Sequence, residues 1–304
     1  MMSISQYIKV IGRGKEGARP LTREQACDLF GQVLDRSVTD FEIGGFCLAM
    51  RIKGETPEEM AGFLDATHQR LTHIPANDTG TPTIVLPSYN GARKLPVLTP
   101  LLGLLLAREG LSVLIHGTPT ESGRIFTSEV LVALDIPVNL AIKSIASGEL
   151  AFAPTELLCP ALKDLLDVRR VVGLRNPAHS LVKIMNPCLG KSLVVSSYTH
   201  PEYAVSMAQT FELIQANAIL LRGTEGEVVA DARRMPKMEA FVNGQQQLLQ
   251  EAQAGTLASI PDMPNSTDAA TTAAYIRSVL AGTQPVPASI ARQVEHILHV
   301  AQRL

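Results

Sequence analysis

TIVLPSYNGARKLPVLTPLLGLLLAREGLSVLIHGTPTESGRIFTSEVLVAL, residues 83–134, is the stretch that decides the fold. A β-branched run, Thr83-Ile84-Val85-Leu86, meets a breaker at Pro87. A polar loop, Ser88 to Lys94, precedes an apolar helical pattern that ends near Gly110. A second apolar strand, Ser112 to Ile115, opens into His116-Gly117-Thr118-Pro119, and another helical pattern follows. Strand, loop, helix, strand, loop, helix is a βαβα unit, which favours a parallel sheet. Such sheets present their ligand loops at the carboxyl ends of the strands, so the two polar loops are expected side by side at one mouth.

Working outward, the first 72 residues read as helical and carry three start signals. Thr22-Arg23-Glu24-Gln25, Thr39-Asp40-Phe41-Glu42 and Thr56-Pro57-Glu58-Glu59 each place an acceptor three residues after a threonine, ahead of apolar residues on one face. PANDTGTP, residues 75–82, reads as a linker. Beyond it, strand signals at Pro137–Ile142, Leu193–Ser196 and Ala218–Leu221 alternate with helical ones at Pro160–Val172 and Ala178–Met185. After Gln245 the pattern is mixed until helices at Thr267–Leu280 and Ser289–Gln302. The expected class is α/β, with a small N-terminal helical domain and a larger domain built on a mostly parallel sheet.

Composition narrows the function classes. At 304 residues, 46% hydrophobic and 18% charged, the chain supports one large core or a large and a small one. A net charge of −2 offers no global basic excess, so any polyanion binding must be local. Cys27, Cys47, Cys159 and Cys188 show neither CxxC nor a metal-ligand spacing, which points to reduced thiols and a cytoplasmic location. Lys9 and Arg13 interrupt any signal-peptide core, and the apolar run from Leu95 to Ala107 is too short to span a bilayer, so no membrane association is expected.

Several segments resemble the anthranilate phosphoribosyltransferase family. Its loops GTGGD and KHGNRxxSS align with Pro87–Gly91 and Ile115–Pro119, and Ser122 falls in the serine pair. His116, Gly117 and Ser122 persist as a remnant of the transferase site. GLRNPAHSLVKIMNP, residues 173–187, is similar to GxRTxFNxLGPLxNP, which puts Arg175 where the family arginine faces an aromatic acid. The resemblance implies a nucleoside phosphorylase/phosphoribosyltransferase-like fold. It further implies that residues 1–74, completed by about 160–185, form a helical dimerisation domain, with 75–304 as the α/β domain. The departures fall on chemistry. A phosphate cradle needs bare backbone N–H groups and a balancing cation. Here Pro87 lacks the N–H, Tyr89 adds bulk and Ile115 replaces the lysine. The family's magnesium-holding Asp-Glu of HGxDGLDE aligns with Val228-Val229, while Glu225 and Glu227 read as solvated loop residues.

Cations gather instead. Arg13, Lys15, Arg19, Arg93, Lys94, Arg169, Arg170, Arg175 and Lys183 all fall in segments expected to border the emptied cleft. Scattered surface charge is the plain alternative. Strings such as IGRGKEGAR, PSYNGARK, GLRNPAH, SYTHPEY and RGTEGEV are similar to the YbiB-type branch of the family, whose members bind nucleic acid without evident sequence preference. That resemblance implies a homodimer binding DNA, with RNA in second place, and with no catalytic residue, no metal and no cofactor. Transfer of a glycosyl or phosphoribosyl group to an unusual acceptor is the alternative, and only that reading calls for Mg²⁺.

Overall fold

In the computed structural model, residues 3–138, 142–256 and 262–304 are described. Seven strands form one sheet: β1 Thr83–Ser88, β2 Val113–Gly117, β3 Leu150–Pro154, β4 Ser192–Tyr198, β5 Ala218–Arg222, β6 Met238–Val242 and β7 Gln245–Gln250. Their spatial order is β3-β2-β1-β4-β5-β6-β7. The first five pair in parallel, and β6 and β7 add an antiparallel hairpin. The chain winds outward one way from β1 through β2 to β3, then the other way from β4. The crevice between the carboxyl ends of β1 and β4 is therefore the switch point at which ligands bind in such sheets.

Alternation along the parallel strands divides the apolar interior. Val85, Leu114, Val194 and Leu220 face one cluster, and Ile84, Leu86, Val113, Ile115, Leu193 and Ile219 face the other. The second cluster is covered by the helices Thr99–Arg108, Thr127–Ala133, Ala269–Leu280 and Ala288–Ala301. The first continues into the helical layer made by Arg23–Leu34, Asp40–Lys53 and Pro57–His68. There Phe30 stacks on Phe63 with centroids 4.7 Å apart, and Phe46 meets both rings edge-on. Leu162, Leu165 and Leu166 of the helix Pro160–Val172 join the same cluster, so this late segment packs back on the early helices. All three capping boxes form, at Thr22/Gln25, Thr39/Glu42 and Thr56/Glu59. Each threonine cap stabilises its helix by about 1 kcal/mol.

Several boundaries differ from the sequence reading. β1 runs on through Pro87, because pairing to β4 covers only Thr83–Val85 and the ladder on that side has ended before the proline. The strand expected at Pro137–Ile142 falls partly on residues 139–141, outside the described ones, and its described ends are not strand. The third parallel position is taken by Leu150–Pro154, whose short LAFAP pattern carries too little signal to be read as a strand. The β6–β7 hairpin is equally silent in the sequence, since β7 is the glutamine-rich and mostly exposed QQQLLQ. The helix expected at Ala178–Met185 stops at Leu181. The basic segment before Arg19 holds two short helices, Ser5–Ile11 and Gly14–Gly17.

Candidate functional site

The mouth of the sheet is organised by Glu227, which reads as a solvated residue in the sequence and is not one. Its carboxylate is buried and accepts from the backbone N–H groups of Asn90 at 2.7 Å and Gly91 at 2.8 Å. The hydroxyls of Ser88 and Thr99 donate to its other oxygen at 2.5 and 2.9 Å. These amides belong to the loop after β1, the position of the family's phosphate cradle. A carboxylate supplied by the chain itself sits where an external anion would be bound. Close approach of the two loops depends on Gly226, whose φ is +89° and where a Cβ would come within 1.9 Å of the Asn90 side-chain nitrogen Nδ2.

Glu225 repeats the device one step further along. Its carboxylate accepts from the N–H groups of Arg93, Lys94 and Leu95 at 2.8 to 3.3 Å. Its own backbone is left-handed, with φ +53°, a conformation that costs a non-glycine residue about 1 kcal/mol. Charge-assisted bonds to three amides more than offset that cost. The i, i+2 spacing of two glutamates in GTEGEV is the available sequence signal. Deciding that both turn inward requires the opposing loop.

Mg²⁺ wants hard oxygen ligands in octahedral array. Val228 and Val229, at the aligned metal positions, are each 1% exposed and belong to the apolar core. Glu227 spends its oxygens on N–H and O–H donors. Among the described residues no group of three His, Cys, Asp or Glu side chains is arranged to hold a metal. The residues present do not fit the transferase metal.

The remnant residues are placed as follows. His116 is fully buried, with Nδ1 2.8 Å from the Tyr89 hydroxyl, which also meets Thr155 at 2.8 Å; Nε2 has no partner among the described residues. Burial lowers the His116 pKa to about 3. Gly117 lies so close to Ser88 that a Cβ would come within 2.0 Å of its carbonyl oxygen, while Ser122 is exposed. Tyr89 is buried against His116 and is not available for stacking on a base.

The predicted cations divide into two groups. Arg169 pairs with Glu121, which also holds Arg124, and Arg170 pairs with Asp167. Each acid faces two cations, Glu121 with Arg124 and Arg169 and Asp167 with Lys163 and Arg170, so both arginines are held in place while net positive charge remains. Arg93 and Lys94 are exposed on the loop that Glu225 ties down, and neither forms an ion pair among the described residues. Arg13 and Arg19 are exposed, each donating only to backbone carbonyls. Their segment packs beside the helix Asp40–Lys53, with Gly12 against Ala49, two residues before Arg51. The Lys15 side chain lies outside the described residues.

Arg175 and Lys183 enter a cavity of about 440 Å³ at the switch point. It is closed on one side by Met50, Arg51 and Met60 of the helical layer and on the other by Ser197 to His200 after β4. Lys183 Nζ donates to the Gly226 carbonyl at 3.1 Å, and burial lowers its pKa to about 8. Arg175 is lowered by burial and by Arg169.

Comparison with known proteins places this geometry. Residues 5–70 match a glycosyl transferase family helical bundle domain. YbiB of Escherichia coli (strain K12) is 37% identical over 298 residues, covering 96% of this chain and 92% of that protein. An anthranilate phosphoribosyltransferase of Brevibacillus brevis is 27% identical over 210 residues, 68% of this chain and 61% of that one. Anthranilate phosphoribosyltransferase from Thermus thermophilus superposes with a TM-score of 0.70 at 21% identity, covering 94% of this chain and 85% of that one. The Saccharomyces cerevisiae enzyme in complex with PRPP and Mg gives 0.69 at 11% identity, over 99% and 90%. At those identities the structural likeness speaks for the fold.

Two outcomes follow from the buried groups. Glu227→Gln replaces an acceptor oxygen by an NH₂ facing N–H or O–H donors, and is expected to cost about 3 kcal/mol in urea unfolding; an unchanged midpoint would show the carboxylate to be dispensable. His116 takes a proton in the unfolded chain near pH 6.5 but in the folded chain only at about 3. Its stabilising contribution is therefore present above pH 6.5 and is lost as pH falls through that window. Unfolding free energy of His116→Asn should fall less steeply there than that of the parent, by up to about 1.4 kcal/mol per pH unit. Parallel curves would contradict the assignment.

Proposed function

This chain belongs to the anthranilate phosphoribosyltransferase-like family, in company with YbiB, and since its own carboxylates fill the diphosphate cradle we propose that it binds nucleic acid rather than transferring a phosphoribosyl group. The supporting observation is the bonding of Glu227 to the Asn90 and Gly91 amides, which leaves those donors nothing to offer a diphosphate. Transferase chemistry without charge neutralisation at the leaving group lacks its main source of rate. Cations without an ion pair among the described residues stand at Arg93 and Lys94 on the loop after β1, at Arg51 and Arg175 on the cavity, and at Arg13 and Arg19 beside the helix Asp40–Lys53. Neutralising backbone phosphates with such side chains gives affinity without sequence preference. DNA is the first candidate, RNA the second, and the reading takes the protein as cytoplasmic. No helix among the described residues is long and apolar enough to cross a membrane.

A second reading keeps the alternative alive: transfer of a glycosyl or phosphoribosyl group to an unusual acceptor. Family membership and the enclosed cavity at the switch point favour it. Of its three candidate residues only Arg175 is free to meet a ligand. His116 is sealed against Tyr89, and Glu227 is consumed by the loop.

The proposal extends to assembly. Residues 1–74 with 160–185 would form the dimerising unit and 75–304 the binding unit. Phe41 is 94% exposed, with Leu48 and Ile52 following on the same face of its helix. Val171 is 89% exposed at the end of Pro160–Val172, across a groove lined by Ile43, Gly44 and Val168. Apolar patches of this kind mark contact surfaces, and a second copy would cover them.

Two measurements check these points. Binding to unrelated duplexes should weaken linearly in log affinity against log salt. Arg93→Ala and Lys94→Ala should each weaken all sequences alike and lower the slope by about one; a flat salt response, or no binding at low salt, removes the nucleic-acid reading. In sedimentation equilibrium the parent should run as a dimer and Phe41→Asp with Val171→Asp as a folded monomer. A monomeric parent would remove the dimer.

A further inference from the structure

The cavity at the switch point holds more uncompensated positive potential than an aromatic acid requires. Arg175 is half-buried there and makes neither a hydrogen bond nor an ion pair among the described residues. Lys183 uses one of its three donors, on the Gly226 carbonyl at 3.1 Å. His179 is 9% exposed; its Nδ1 lies 3.3 Å from Asn176, and its Nε2 is buried without a partner among the described residues. The acids that line the same space, Glu55 and Glu202, form no ion pair with Arg175 or Lys183 among the described residues, and Glu227 and Glu121 attract Lys183 and Arg175 without pairing to them. A desolvated cation without an ion pair is costly, and Arg175 and Lys183 stand in one cavity with none among the described residues. The depressed pKa values of Lys183 and His179, both caused first by burial, register that cost.

We propose that this cavity binds a nucleoside-borne phosphate monoester, with the phosphate between Arg175 and Lys183 and His179 Nε2 at its edge. A dianion answers two cations, and guanidinium to phosphate is the strong bidentate case. Lys183 stands where the family pattern has proline, so the second cation is a departure from that pattern. The remaining wall suits a nucleoside: Tyr198 and Tyr203 flank the opening after β4. A volume of about 440 Å³ accommodates one nucleotide and not a helix. The phosphate monoester has two sources, a free mononucleotide or the phosphorylated end of a strand. The strand-end form rests on the nucleic-acid reading above, and the free form does not.

Calorimetry on the full chain with adenosine 5′-monophosphate, adenosine, inorganic phosphate and anthranilate tests the pocket. Anisotropy with 5′-phosphorylated and 5′-hydroxyl single strands separates the two sources. The monophosphate should bind at least about tenfold tighter than adenosine, phosphate or anthranilate, a difference of about 1.4 kcal/mol. Arg175→Gln should remove that preference while unfolding at or above the parent's midpoint, since it relieves a cation without a hydrogen bond, and Lys183→Gln should remove it in a chain that still folds. A phosphorylated-end preference abolished by Lys183→Gln makes the strand end the ligand. Monophosphate binding with no strand binding makes the free nucleotide the ligand and removes the nucleic-acid reading alone. No monophosphate binding at millimolar concentration, equal affinity for adenosine, or tighter binding of anthranilate overturns the proposal.

Discussion

Everything at the mouth of the sheet depends on where the Glu227 carboxylate goes. It is bound by two backbone amides and two hydroxyls, and through them it fixes the loop after β1 to the loop after β5. An anion held by preoriented N–H groups in a dry site is bound far more tightly than one in water. The acceptor is part of the chain, so its effective concentration at those amides is set by the fold and not by solution. Glu225 adds a second carboxylate on the next three amides. Two internal acids thus occupy successive amides of one loop.

That arrangement lies in the loops, apart from the frame that carries them. The sheet order, the switch point and the helical layer belong to a fold that superposes on an anthranilate phosphoribosyltransferase with a TM-score of 0.70. None of them needs a diphosphate to stand. The positions aligned with the metal ligands, Val228 and Val229, have joined the core, where aspartate and glutamate would each bring a buried charge. Frame and chemistry are separable because the first rests on apolar burial across both sheet faces and the second on a few loop residues.

The frame is legible in the sequence because its signals are local. Three threonine caps, two apolar strands in residues 83–134 and the proline-led helix at Pro160 are each decided within about one turn or one strand of chain. What escapes a sequence reading is decided at long range. The exposed β7 lacks an apolar alternation, and Leu150–Pro154 is a strand because β2 is beside it. Glu227 looks like a solvated loop acid until the amides of Asn90 and Gly91, more than 130 positions away, are set against it. Arg169 and Arg170 look like free cations until Glu121 and Asp167, each shared with a second cation, are set beside them. Charges read from sequence carry their sign but not their partner.

If the chain's own carboxylates close the diphosphate cradle, calorimetric titration of the parent protein with phosphoribosyl diphosphate and Mg²⁺ gives no metal-dependent heat up to millimolar ligand. Saturable binding that requires Mg²⁺ would contradict that closure, because it would mean that Glu227 yields its amides to a phosphate after all.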